Sequence, residues 1–390
     1  MSWSSGDSPE LSFDEPFCIS ERGCDNLLRR LTASDADVDQ LDALLETVRF
    51  DANKDEWLTL LRLDDVFATG VFDDTGALIG VSTCVRYDEY RGPEAEPGSN
   101  EPHSTFGWCG NVVVDASFRG RGVARTLLRA ALEDVGADGA AWLDASDMGI
   151  SLYEKAGFEP RSRVVRWTKD VPSGRAADAR ETPGDDADFT QKNLRVVRAD
   201  EENGAFGAAA RMDAEVFGAD REAFLRAWVA SAPPGASCLD ERVGYALAHR
   251  RGNATYLGPW GLAPETRTRA NARARNKETE AFVDAAVRRA VAAAARDARA
   301  RGEATALVVA YVPEPLAGHE RGEGLSRSSV CQDAFAAGAL MSEALARRGF
   351  ARGDATTRMA RRDPACGGAR AIAEPGSPDR ALTVASLDLG

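Results

Sequence analysis

A short apolar segment runs directly into a glycine turn that starts an amphipathic helix, and this order constrains the fold of the chain more than any other sequence feature. Residues 111–114 read Asn-Val-Val-Val, a β-branched run suited to a buried strand. Residues 123–135 carry apolar side chains at the spacing of one helix face. The turn at 119–122 reads Arg-Gly-Arg-Gly. The segment therefore predicts a strand–turn–helix unit.

The glycine turn (119–122) also has the properties of an anion-binding site. The first N–H groups of a helix have no intrahelical partner, and the helix dipole adds about half a positive charge there. Glycines let a ligand approach the backbone without meeting a Cβ atom. Arg119, Arg121 and Arg125 add positive charge at the same place. These properties favour a phosphate or pyrophosphate, and a simple glycine turn with solvated arginines is the alternative.

Two motifs in this part of the chain resemble the GCN5-related N-acetyltransferase (GNAT) family. The glycine turn fits that family's Arg/Gln-x-x-Gly-x-Gly/Ala loop through Arg119, Gly122 and Ala124. About thirty residues further on, 152–158 fit its Leu-Tyr-x-x-x-Gly-Phe signature. The resemblance covers about 27–169, and it implies that the turn wraps the pyrophosphate of acetyl-CoA while the strand pairs with the pantetheine arm. The acetyl-CoA contacts that it implies are Val112, Val113, Val114, Arg119, Gly120, Arg121, Gly122, Val123 and Ala124.

The predicted fold is of the α/β (α+β) class. The first half of the chain has predicted elements in the order β-α-α-β-β-β-α-β-α-β, which the GNAT fold requires. The second half repeats part of this pattern, because residues 242–250 resemble residues 77–86. Residues 254–260 then occupy the place in the order that the predicted acetyl-CoA-binding strand, which includes 111–114, has in the first half. A long Ala-rich helix, a strand and a helix that ends in Gly-Phe at 349–350 follow. We therefore expect two tandem GNAT folds, each a mixed, mostly antiparallel twisted sheet flanked by helices.

The second predicted fold lacks the residues that carry the chemistry of the first. After Trp260 the chain has no x-x-Gly-x-Gly/Ala spacing, and Leu345 stands where the first half has Tyr153. We therefore expect a degenerate second domain. The arrangement resembles tandem acetyltransferases in which the second domain helps to form the acceptor site.

Composition indicates the domain boundaries. Residues 171–193 are rich in small, charged and turn-forming residues, so they predict a linker. The first half, defined here as 26–170, is the predicted acetyltransferase domain, and the second half, 194–362, is the degenerate one. By the same argument 1–25 and 363–390 are predicted to be poorly ordered tails.

Composition also limits the compartment and the partners. Seven scattered cysteines without metal spacing and the lack of a signal-peptide pattern predict a reduced, intracellular, cytoplasmic protein. Three histidines far apart in sequence give no metal-site pattern. No apolar run is long enough to span a bilayer. A formal net charge of −14 argues against nucleic acid as a partner and favours a cationic acceptor.

The resemblance implies direct attack by a primary amine on the thioester of acetyl-CoA, without a metal. Tyr153 would protonate the departing thiolate, and an N–H group of the strand at 112–114 would polarise the thioester carbonyl. An amine whose ordinary pKa is near ~10.4 is mostly protonated at pH 7, so a base is expected. The candidates are Asp144, at the end of the next strand, and His103, ahead of the acetyl-CoA strand. Ser146 stands where many relatives carry an asparagine.

The sequence leaves the acceptor and one other class of function open. A small amine, a peptide N-terminus and a lysine side chain all fit the expected chemistry, and so does a longer acyl group. The alternative function is a non-catalytic module that binds acyl-CoA or a partner protein. The degenerate second half favours this alternative, whereas the intact turn and Tyr153 favour the enzyme.

Overall fold

The computed structural model describes residues 27–48, 54–88, 90, 105–136, 139–174, 193–201, 204–263, 272–316 and 329–361. Within these ranges twelve strands form one continuous sheet. The strands are β1 (Leu27–Arg30), β2 (Val66–Phe72), β3 (Leu78–Asp88), β4 (Thr105–Val114), β5 (Ala140–Ala145), β6 (Glu159–Pro172), β7 (Arg195–Val196), β8 (Cys238–Asp240), β9 (Gly244–Arg251), β10 (Ala254–Leu262), β11 (Thr305–Glu314) and β12 (Ala351–Arg361). The helices are α1 (Asp35–Val48), α2 (Lys54–Leu60), α3 (Val123–Val135), α4 (Ile150–Lys155), α5 (Ala205–Phe217), α6 (Glu222–Ser231), α7 (Ala272–Ala300) and α8 (Ser329–Arg347).

Strand order confirms the predicted sheet type. The order is β1-β2-β3-β4-β5-β12-β6-β11-β10-β9-β8-β7. Only β4 with β5 and β10 with β11 pair in parallel, and every other described neighbour is antiparallel. Each half thus has a mixed, mostly antiparallel sheet with one parallel pair. Helices pack on both faces, as expected for the α/β class.

The two halves exchange strands at the centre of the sheet. The last strand of the second half, β12, lies between β5 and β6 and pairs with both. The last strand of the first half, β6, pairs on its other side with β11 of the second half. Each half therefore depends on a strand of the other for its inner edge. The domain boundaries at 170 and 194 stay a prediction.

The helices bury the faces that the sequence pattern predicts, and one core joins the halves. Helix α3 buries Val123, Leu127 and Leu128 against the sheet. On the opposite face, side chains from α1, α2, α5 and α6 share a single hydrophobic core. Aromatic rings connect the halves within it: Tyr87 of β3 meets Phe217 of α5 edge-on, with ring centroids 5.0 Å apart. This shared core fixes the second half over the first.

Several sequence predictions fall on residues outside the described ranges. These are His103, most of the linker, both tails, and the segment after β10 that would correspond to the glycine turn.

Candidate active site

Strand β4 is irregular at the point where the sequence predicts the thioester site. Its pairing with β3 shifts register between Val81 and Thr83, so that residues 111–112 form a bulge. Asn111 has a φ of +50°, the left-handed region that few residues other than glycine adopt. Its buried side chain is held in place because Nδ2 donates a hydrogen bond of 3.1 Å to Thr83 Oγ1. The bulge takes the backbone of residues 111 and 112 out of the regular β3 ladder.

A cleft opens beside this bulge because β4 and β5 separate. The two strands pair from Phe106 and Ala140 as far as Trp108 and Trp142, and their pairing ends there. The cleft has a volume of about 430 Å³, and its first-half wall includes Asn111, Val112 and Tyr153. Its other wall contains Tyr256 and Tyr311 of the second half, together with Arg251. The strand exchange therefore brings both halves to one site.

The glycine turn has the backbone conformation of an open anion site. Gly120 and Gly122 have φ values of +72° and +87°, which side-chain-bearing residues rarely adopt. Helix α3 begins at Val123 without a side-chain cap. A Cβ atom on Gly120 would meet nothing within 4 Å. Arg119 anchors the turn, because its Nε donates a 3.1 Å hydrogen bond to the carbonyl of Val114.

The charge of the turn suits an acidic ligand. Arg119 and Arg121 are exposed beside the start of α3, and the guanidinium of Arg121 lies 5.1 Å from the Phe118 ring centroid. The uncapped N–H groups and the helix dipole add to this positive potential. The residues present therefore fit a pyrophosphate.

Tyr153 lies in the cleft, where packing fixes its ring. A Cβ atom on Gly149 would lie 2.6 Å from Cε2 of this ring, so glycine makes the close contact possible. Phe158 packs edge-on, with ring centroids 6.0 Å apart. Burial raises the pKa of the Tyr153 phenol above its ordinary value. The phenol thus stays protonated at neutral pH, which is the state required of a proton donor.

Asp144 also lines the cleft, but it is engaged in an ion pair that sequence reasoning missed. Arg358 of β12 donates from Nε and Nη2 to the two carboxylate oxygens, at 2.9 and 3.0 Å. The side chain of Arg358 is 1% exposed and that of Asp144 is 0% exposed. The guanidinium also lies 4.7 Å from the Trp108 ring centroid. This pair gives Asp144 a structural role, and its role as a base stays a prediction.

Two family models match this chain in sequence. A model of the acetyltransferase (GNAT) family matches residues 34–158, and a GNAT acetyltransferase-domain model matches residues 209–294. Together they match more than half of the chain.

The chain belongs to the GNAT acetyltransferase family.

It is a tandem GNAT protein, as the repeat predicts, with one family match in each half. Family membership supports acyl transfer as its reaction class. No curated protein matches this GNAT protein in sequence.

Solved structures share the whole fold at low sequence identity. A Pyrococcus horikoshii protein assigned as an acetyltransferase is 16% identical, with a TM-score of 0.53 over 97% of this chain and 98% of that one. Saccharomyces cerevisiae N-myristoyltransferase, solved with bound myristoyl-CoA, is 12% identical, with a TM-score of 0.52 over 92% and 86%. These likenesses concern the fold.

The described residues can also be compared with the requirements of a metal site and of a membrane-spanning helix. Within the described ranges, no three His, Cys, Asp or Glu side chains come together as potential metal ligands. None of the helices described for this GNAT protein combines the length and apolar character needed to cross a membrane.

Proposed function

We propose that this protein transfers an acetyl group from acetyl-CoA to a primary amine in the first half of the chain. The observation that carries the proposal is one cleft lined by two of three features, with the third at the end of the strand that borders it. These are the β4 bulge at Asn111, the buried phenol of Tyr153 and, at the end of the same strand, the glycine turn.

The backbone supports binding of the cofactor. The N–H groups at the start of α3, with Gly120 and Gly122, would hold the pyrophosphate, and Arg119 and Arg121 would add charge. The backbone of Val112, Val113 and Val114 would pair with the pantetheine arm. Val123 and Ala124 complete the predicted contact set at the first turn of α3.

The chemistry is a direct attack in which each proton has a destination. The neutral amine attacks the thioester carbon, and an N–H group of the β4 bulge stabilises the developing oxyanion. The C–S bond then breaks, and the departing thiolate takes a proton from Tyr153. The amine nitrogen loses its proton to a base, for which Asp144 and His103 remain the predicted candidates. The products are the amide and CoA.

The second half is proposed to form the acceptor side of the cleft. Tyr256 and Tyr311 support this role because they line the cleft and come from β10 and β11. The second half has no counterpart of Tyr153, since Leu345 stands at that position and is buried in the core.

Calorimetric titration of acetyl-CoA tests the proposal through Gly122→Glu. The substitution adds bulk and negative charge at the proposed pyrophosphate site, so we expect one binding site per chain in the wild type and none in the variant. Gly76→Glu is a matched control, because Gly76 also has a positive φ, +82°, but lies in the β2–β3 turn with open space around it.

The other outcomes are equally informative. Two sites per chain, or binding that survives Gly122→Glu, would overturn the assignment of the cofactor to the first half. Binding without release of CoA thiol in the presence of any amine would favour the non-catalytic acyl-CoA-binding function.

A further inference from the structure

The charged side chains that line the cleft are not balanced. They are Asp144, Arg166 and Arg251. Asp144 is paired with Arg358, and Arg251 is paired with Glu56 of α2, with Nε 2.9 Å from Oε2. The side chain of Arg166 makes no hydrogen bond, ion pair or ring contact with another described residue. Once the two ion pairs are counted as neutral, one positive charge remains in the cleft, at Arg166.

The position of Arg166 separates it from the proposed phosphate site. It lies on β6, three strands from β4 in the order β4-β5-β12-β6. At about 4.8 Å per strand, β6 is about 14 Å from β4 along the sheet. The glycine turn follows the end of β4, so the two positive regions serve different parts of the site. Arg166 therefore belongs to the end of the cleft away from β4, which is the proposed acceptor side.

The surroundings of Arg166 come from the second half. It stands directly opposite Tyr311 in the β6–β11 pairing, so the two side chains share one face of the sheet. Tyr256 lies beside Tyr311, with ring centroids 6.1 Å apart. On the neighbouring strand, the buried Thr356 Oγ1 has no hydrogen-bond partner within the described ranges. This end of the cleft is thus lined by the two tyrosine rings, the half-buried guanidinium of Arg166 and the hydroxyl of Thr356.

We propose that the acceptor is a small amine that also carries a carboxylate or phosphate group, and that Arg166 binds this anionic group. The inference rests on the proposed function, because it names the substrate class of the same site. A guanidinium donates a planar pair of N–H groups that matches either anion. The local charge of the cleft thus points to the opposite substrate from the one that the net charge of −14 favours.

The test compares matched amines in a CoA-thiol release assay. Glycine, 4-aminobutyrate and 6-aminohexanoate are each paired with the alkylamine of the same length, and O-phosphoethanolamine is paired with ethanolamine. We expect the wild type to have a kcat/KM at least about tenfold higher for an anionic amine than for its neutral partner. The carboxylate and phosphate arms identify which anion the site takes.

Arg166→Gln should remove this preference. We expect its kcat/KM for the anionic amine to fall about ten- to hundredfold, while that for the neutral amine changes little. Arg166→Lys should retain part of the preference, and Arg166→Glu should shift it towards 1,4-diaminobutane. Arg163→Gln is the matched control, because Arg163 lies on the same strand but on its other face. Acetyl-CoA affinity, measured by calorimetry, should be unchanged in every variant, which also verifies folding.

Three results would overturn the inference and separate it from the proposed function. Equal kcat/KM for anionic and neutral amines, or a preference that survives Arg166→Gln, would refute the role of Arg166 while acetyl transfer stands. Loss of acetyl-CoA affinity in an Arg166→Gln variant that keeps the wild-type urea midpoint would assign Arg166 to the cofactor instead. Acetyl-CoA binding without transfer to any amine would refute the proposed function itself.

Discussion

At the scale of single residues, burial sets the protonation states on which the site depends. Tyr153 is held between Gly149 and Phe158, and its buried phenol has a raised pKa. Burial shifts the pKa of the His249 imidazole in the opposite direction, because its charged form is the protonated one. His249 is 2% exposed, lies between the rings of Trp228 and Tyr256, and burial, aided by the nearby charge of Arg251, lowers its pKa to about 3.

Tyr153→Phe tests the proposed general acid. The variant keeps the ring but removes the proton donor, so we expect kcat to fall by about 10²- to 10⁴-fold. Acetyl-CoA affinity should stay near that of the wild type, because the substitution leaves the glycine turn unchanged. Steady-state kinetics and calorimetry measure the two effects. An unchanged kcat would remove Tyr153 from the mechanism.

His249 predicts part of the acid sensitivity of the fold. An unfolded histidine titrates near ~6.5, whereas His249 titrates at about 3 when folded. Between these values the unfolded chain binds the extra proton, so stability is present above about pH 6.5 and is lost as pH falls towards 3. His249→Phe should therefore make the free energy of unfolding less dependent on pH in this range.

Urea midpoints between pH 4 and 7 measure the effect. Carboxylates such as Asp37, whose pKa is lowered to about 2, add an acid loss of their own as pH falls below about 5, but they do so equally in both proteins. The difference between the two slopes therefore reports His249. Identical slopes for the wild type and His249→Phe would show that His249 does not contribute.

At the scale of elements, the Asp144–Arg358 pair connects β5 to β12. The two residues are directly opposite in the strand pairing. Both side chains are removed from solvent, so loss of one leaves the other as an uncompensated buried charge.

Arg358→Met should therefore lower the free energy of unfolding by about 3–5 kcal/mol. The double variant Arg358→Met with Asp144→Leu should recover most of this loss, because no charge then remains buried. Urea denaturation of both variants and the wild type measures the difference. Equal stability of the single and double variants would contradict the argument.

At the scale of the whole molecule, the exchange of β6 and β12 brings residues of both halves to the candidate site. The first half supplies the glycine turn, the bulge and Tyr153, and the second supplies Tyr256 and Tyr311. The shared core between α1, α2, α5 and α6 joins them. Neither half closes its own sheet, because β12 fills the gap between β5 and β6.

A chain that ends at residue 350 should consequently lose acetyl-CoA binding and aggregate. Removal of β12 leaves unpaired backbone groups on β5 and β6. It also removes Arg358, so the buried carboxylate of Asp144 loses its partner. A chain that ends at residue 362 keeps β12 and should behave as the wild type. Size-exclusion chromatography and calorimetry of both chains measure the outcome. Wild-type affinity in the shorter chain would contradict the interdependence of the halves.

The sequence by itself determined the local units of this protein. The apolar spacing of α3, the glycines at 120 and 122 and the repeated strand pattern predict elements that the structure confirms, because these features act between residues close in the chain. The tandem arrangement also followed from the repeat.

Only the tertiary structure decided how the halves share the site. Asp144 and Arg358 are 214 residues apart, and no local pattern marks them as partners. Likewise, Arg166 gains its position beside Tyr311 from the pairing of β6 with β11. That none of the described residues supplies its side chain with a counter-ion is visible only in the folded chain. Strand exchange depends on contacts between distant segments, and such contacts leave no periodic signal along the chain.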